Sequence, residues 1–78
     1  MHDHPAELIA YRRRVGDRLR EQRRAAGLSQ QALAERVGLD KQAISKIENA
    51  HQSPRLDTLW RLAGALGVTV GTLTDDEQ

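Results

Sequence analysis

The chain has no cysteine, and its only aromatic residues are Tyr11 and Trp60. Without cysteine, no disulfide and no thiolate metal site can staple the fold. Its 78 residues allow one small core, so stability must come from helix packing, a partner subunit, or both. No apolar run approaches the roughly 18–20 residues that cross a bilayer. The N-terminus MHDHPAEL also lacks the basic start and apolar stretch of a signal peptide. These absences predict a soluble, cytoplasmic chain with no membrane partner. Period-2 alternation of β-branched residues is missing too, so no sheet is expected. An enzyme fails on inventory. There is no glycine-rich phosphate loop and no Ser/His/Asp set with a scaffold large enough to enclose it. No cofactor is expected, and no metal. His2 and His4 are read as part of a tail rather than as a ligand pair, because no third ligand is in view.

What is present is rich in helix formers: Ala, Leu, Arg, Gln and Glu. The net charge of +1 hides an asymmetry. All twelve Lys and Arg lie between Arg12 and Arg61, and that segment holds six acids, which leaves it at +6. The other acids sit toward the ends, at Asp3, Glu7, Asp75, Asp76 and Glu77. A basic middle attracts phosphate only through its local field, and charge alone does not distinguish that from a solvated helix face.

The whole chain, 1–78, reads as a single domain, with 1–4 and 75–78 as tails. A long first helix is expected over 5–26. Asp3 or His4 would cap it, Pro5 lies in its first turn, and Gly27 ends it. Its apolar series is Leu8, Tyr11, Val15, Leu19, Ala25 and Ala26. Gly16, inside that helix, costs about 1 kcal/mol against Ala. A close helix–helix approach would explain it. Ser29 is a cap for helix two, 30–37, which Gly38 closes. Asp40 caps helix three, 41–49. Ser53-Pro54 is expected to start helix four by cap and first-turn proline, with Leu56, Leu59, Trp60, Leu62, Ala63 and Leu66 as its apolar positions and Gly67 at its end. Thr69 caps a last short turn through Leu73.

Residues 30–49 organise the rest. At about 100° per residue, Lys41, Gln42, Ser45, Lys46 and Asn49 form one continuous polar arc on helix three. Ala43, Ile44 and Ile47 form the apolar arc, and Glu48 lies on the border. Gly38 stands at the turn, where a left-handed backbone is cheap only for glycine. Ala34, one helical turn earlier, is small enough to let the second helix cross close over the first. Ile44 and Ile47 would then lock that second helix to the core. These are the steric requirements of a helix-turn-helix.

The stretches Gly27-Leu28-Ser29-Gln30-Gln31-Ala32-Leu33-Ala34, Val37-Gly38 and Ile44-Ser45-Lys46-Ile47-Glu48-Asn49 resemble the Xre family of lambda-repressor-like helix-turn-helix domains. Ser53-Pro54 and the run from Leu62 to Val68 look like that family as well. The match covers roughly 15–73. It implies an all-α, five-helix lambda-repressor-like bundle, here with helix one extended at its N-terminus. The resemblance assigns Lys41, Gln42, Ser45 and Lys46 to base contact. Gln30, Arg23, Asn49 and the following loop are assigned to DNA backbone. Arg23 and Glu48 match a pair that ties helix one to helix three. Two features depart from the pattern: the arm before Val15, and the lack of an aromatic in the last helix.

Side-chain chemistry agrees with these roles. The Gln42 amide can pair with adenine, and Lys41 or Lys46 can donate to guanine N7 and O6. Ser45 is short enough to allow close approach. The helix N-termini at Gln30 and Lys41 present free amides to phosphate, and His51, Gln52 and Arg55 can extend the backbone contact. Arg12, Arg13 and Arg14 are read as a solvated face. Trp60 is read as core, or as half-buried under the N-terminal arm, with a subunit-contact anchor as the sharper alternative. The resulting expectation is a nucleoid-associated homodimer that binds a palindromic duplex site and represses transcription. The alternative is an antitoxin-like protein that holds a toxin partner and regulates its own operon. A helix-turn-helix used only for protein contact is a third possibility.

Overall fold

A computed structural model of the chain describes residues 5–75. The expectations for Met1–His4, with the paired His2 and His4, and for Asp76–Gln78 fall outside those residues. Five helices follow in order: α1 Pro5–Ala25, α2 Gln30–Val37, α3 Lys41–Glu48, α4 Leu56–Leu66 and α5 Val70–Thr74. There is no strand among the described residues.

The caps are where the side chains place them. Ser29 Oγ accepts from the Ala32 amide at 3.0 Å, and Asp40 Oδ1 accepts from the Ala43 amide at 2.8 Å. Thr69 does the same for Thr72 at 3.1 Å. Gly38 is left-handed, with φ 75°, and the Leu39 amide folds back onto the Ala34 carbonyl at 2.9 Å. That satisfies a terminal carbonyl of α2 and turns the chain into α3 in three residues. Asn49 is the C-cap of α3 rather than its last helical residue. Beyond it Ala50 takes the left-handed position, φ 61°, and the His51 amide reaches the Lys46 carbonyl at 2.8 Å.

The start of α4 differs from expectation. It begins at Leu56, not at Ser53-Pro54, and Arg55 holds the N-cap position without a side-chain cap bond. Ser53 Oγ accepts from Arg12 Nε at 2.7 Å instead of capping the helix. Pro54 also biases the residue before it toward extended backbone.

The core is built from Leu19, Leu33, Ala34, Val37, Ile44, Ile47, Leu62, Ala63 and Leu73, so all five helices contribute to it. Val15 is buried beside it. Helix α3 packs on α1 and α2, α4 packs on α2 and α5, and α5 returns to α1. Arg18 reinforces that return by donating from Nη1 to the Thr72 carbonyl at 3.4 Å. The apolar series of α1 is buried only from Val15 onward. Leu8 and Tyr11 are 49% and 40% exposed, and Ala25 and Ala26 are exposed at the other end. The first turns of α1 run past the bundle, where Leu8 and Tyr11 line only a shallow groove with Pro54, Leu59 and Thr74.

Trp60 is not core, since it is 73% exposed, and Leu56 one turn earlier is 77% exposed. The apolar arc of α4 is wider than α2 and α5 can cover. Leu62 and Ala63 take the covered part, and Leu56 and Trp60 are left on its edge. No helix among the described residues is long and apolar enough to cross a membrane.

Candidate nucleic-acid interface

The interface is organised by how α3 is held. Ile44 and Ile47 are buried at 0% and 3% exposure, which fixes the rotation of the helix about its axis. Lys41, Gln42, Lys46 and Asn49 are exposed on the opposite side, and Ser45 is half-buried between them. The expected polar arc is therefore one surface of the molecule. Ala34 is fully buried under the crossing of α2 and α3, and Gly38 provides the turn.

The C-terminal end of α3 is pressed onto α1 at Gly16. A Cβ on Gly16 would lie 2.6 Å from the Ile47 carbonyl oxygen and 2.7 Å from that of Glu48. Only a hydrogen fits there, which accounts for a glycine in the middle of a long helix.

Glu48 is not a border residue. It is 2% exposed and sits at the centre of a polar network. Arg23 meets it with two parallel bonds, Nε to Oε2 at 2.6 Å and Nη2 to Oε1 at 3.0 Å. The remaining Arg23 nitrogen, Nη1, donates to the Leu28 carbonyl at 2.9 Å, across the α1–α2 turn. Gln30 donates from Nε2 to Glu48 Oε1 at 3.1 Å. Burial pushes the Glu48 carboxyl up, but the bonds from Arg23 and Gln30 and the charges of Arg23 and Arg20 outweigh it, so the net shift is downward. On the other side of the pair, the Glu48 hydrogen bond raises Arg23 against the opposing effect of burial. The expected tie between helix one and helix three is present. It also draws in Gln30, so three helices meet at one carboxylate.

Arg20 was not singled out from the sequence. Its guanidinium approaches Glu48 Oε1 at 3.5 Å and Asp17 at 3.7 Å. It also donates from Nη2 to the Glu48 carbonyl at 3.1 Å and to Asn49 Oδ1 at 3.0 Å. It thereby neutralises the negative end of α3. A signal was available: Gly16, Arg20 and Arg23 fall on one stripe of α1, and Gly16 marks which stripe faces α3.

The other expected contacts are more dispersed. His51, Gln52 and Arg55 are exposed on the segment between α3 and α4. That segment is tied to α1 through Ser53 and Arg12, so Arg12 is more than a solvated residue. Of the two helix N-termini expected to receive phosphate, α3 is capped by the carboxylate of Asp40, which opposes an anion. The N-terminus of α2 is capped by the neutral Ser29. Among the described residues no group of three or more His, Cys, Asp or Glu is placed to hold a metal ion.

This arrangement, a rigid bundle with one free helix face bearing amide, hydroxyl and ammonium groups, can read hydrogen-bonding edges laid against it. A family model described as helix-turn-helix matches residues 19–73. The immunity repressor of Bacillus phage phi105 is 36% identical over 63 residues, which are 81% of this chain and 44% of that protein. The chain thus spans under half of that relative's length. The restriction-modification controller protein C.AhdI from Aeromonas hydrophila superposes with a TM-score of 0.77 at 39% identity, covering 92% of this chain and 99% of that one. The P22 c2 repressor, solved with a synthetic operator, superposes with a TM-score of 0.76 at 30% identity, over 81% and 96% of the two chains. The chain belongs to the lambda-repressor-like helix-turn-helix family, whose members are DNA-binding transcription regulators.

Proposed function

We propose that the chain binds a specific duplex site as a homodimer and represses transcription, with α3 in the major groove. The observation that carries this reading is the division of α3: one face is locked by Ile44, Ile47 and the Glu48 network, and the other presents Lys41, Gln42, Ser45 and Lys46 to the outside. In this reading those four side chains meet base edges, and Gln30, His51, Gln52 and Arg55 meet backbone. Arg23 contributes mainly by holding Glu48, since its Nε, Nη1 and Nη2 already donate within the protein. The operator bound in the P22 c2 repressor structure supports duplex DNA as the ligand.

The exposed face of α4 supports a second copy as partner. Leu56 and Trp60 stand out together, with Asp57, Arg61 and Val70 around them. In a two-fold contact, Asp57 of one copy can meet Arg61 of the other, so the patch complements itself. A standard interface covers about 800 Å² per partner, so the neighbours of these two side chains must take part.

Selection of bound sequences from a random duplex pool tests the proposal. The expected result is a palindrome whose half-sites lie about one helical turn, ~34 Å, apart. Recovery of unrelated sequences, or of a single half-site, contradicts it.

A further inference from the structure

We infer that Ser45 enters the groove as a hydrogen-bond donor, its proton directed outward by a chain running Arg20–Asn49–Ser45. This rests on the proposal that α3 reads DNA and adds the polarity of one of its contacts.

The chain of bonds has a direction fixed by chemistry. A guanidinium has donors only, so Arg20 must face the carbonyl oxygen of the Asn49 amide, which it does at 3.0 Å. Arg20 is itself held by the Glu48 carbonyl, by the Glu48 carboxylate and by Asp17. The Asn49 amide is therefore not free to flip, and its NH2 points the other way, toward Ser45 Oγ at 3.2 Å. An amide NH2 also only donates, so Ser45 Oγ is the acceptor in that bond. The Ser45 hydroxyl proton is left over, and among the described residues no other hydrogen bond engages it. Ser45 lies on the polar arc with Lys41, Gln42 and Lys46, and its proton is available to whatever covers that arc.

The specificity follows. A hydroxyl that donates prefers purine N7, guanine O6 or thymine O4, and gains nothing from the amino groups of cytosine and adenine. Asn49, assigned to the DNA backbone from the sequence, becomes a positioning residue for Ser45. Arg20 becomes one for Asn49.

Asn49→Asp reverses the chain with almost no change of shape. The carboxylate keeps Arg20 and now accepts the Ser45 proton, leaving Ser45 with lone pairs toward the groove. The experiment is duplex selection with the unaltered chain, Ser45→Ala, Asn49→Asp and Arg20→Ala, with thermal melts of each. The unaltered chain is expected to favour guanine or thymine over cytosine, on the strand facing Ser45, at one position per half-site by about five- to tenfold, the size of one hydrogen bond. Ser45→Ala and Arg20→Ala flatten that position, and Asn49→Asp moves it toward cytosine, whose major-groove edge offers only an amino group. Asn49 is exposed, so this variant keeps its fold even if Arg20→Ala melts early. If Ser45→Ala flattens a position that Asn49→Asp leaves unchanged, or if Asn49→Asp only weakens all sites uniformly, the chain does not set the preference. If Ser45→Ala alters no position, Ser45 does not read. Failure of the unaltered chain to select any sequence overturns the DNA-reading proposal itself.

Discussion

Glu48 shows how much one buried carboxylate can organise. It joins Arg23 and Arg20 of α1, Gln30 of α2 and its own helix, and it is essentially fully enclosed. Breaking a buried pair by removing one partner strands the other, so Glu48→Ala is expected to cost about 2–4 kcal/mol. Lys46→Ala, two residues away on the exposed face, should stay within about 0.5 kcal/mol. Thermal melts compare the two, and the opposite ranking removes the network from the account. The same carboxyl sets a pH dependence. Its folded pKa lies below that of the unfolded chain, about 4.3. Its contribution is complete above that value and is lost as pH falls through the lower folded one. The stability gap between the unaltered chain and Glu48→Gln should be flat from pH 7 to about 5 and shrink in more acid solution. Denaturant titrations at stepped pH measure it, and a gap that persists or widens in acid contradicts the assignment. The pairing of Arg23 with Glu48 was legible in the sequence, but its burial was not. A helical wheel places Glu48 at a border, and only the arrival of α1 against the end of α3 turns that border into interior.

At the scale of elements, capping side chains and turn glycines fixed most boundaries. Ser29, Asp40, Thr69 and Gly38 act through local bonds that a sequence states directly. The start of α4 was not legible because Ser53 is drawn off by Arg12, 41 residues away in the chain. Periodicity also misled at Leu8, Tyr11, Leu56 and Trp60, because an apolar arc reports what a helix could bury, not how much its neighbours cover. The contact of α1 with α3 offers a direct test. Gly16→Ala gains about 1 kcal/mol of helix propensity but drives a methyl into two backbone carbonyls that cannot move independently. The expected net effect is a loss of about 2 kcal/mol, with weaker duplex binding because α3 must shift. Melting and titration with duplex check it. A variant as stable as the unaltered chain would mean that α1 and α3 have room the structure does not show.

Across the whole molecule, the free face of α3 and the apolar edge of α4 are two separate surfaces joined by one core. Trp60 is the only tryptophan of the chain, so its emission reports that edge alone. In a dimer built on it, dilution should shift the emission to the red as Trp60 returns to water. Trp60→Ala should sediment as a monomer and lose little stability as one, since the ring is mostly exposed in a single copy. A monomer at all concentrations, with constant emission, would remove the self-complementary patch. The other surface is the free face of α3. Its most direct test is the affinity of the unaltered chain and of Gln42→Ala for the selected duplex and for a scrambled duplex at the same salt concentration. If α3 reads bases, Gln42→Ala loses about 1–3 kcal/mol on the selected duplex and almost nothing on the scrambled one. Equal loss on both, or none on either, would contradict it.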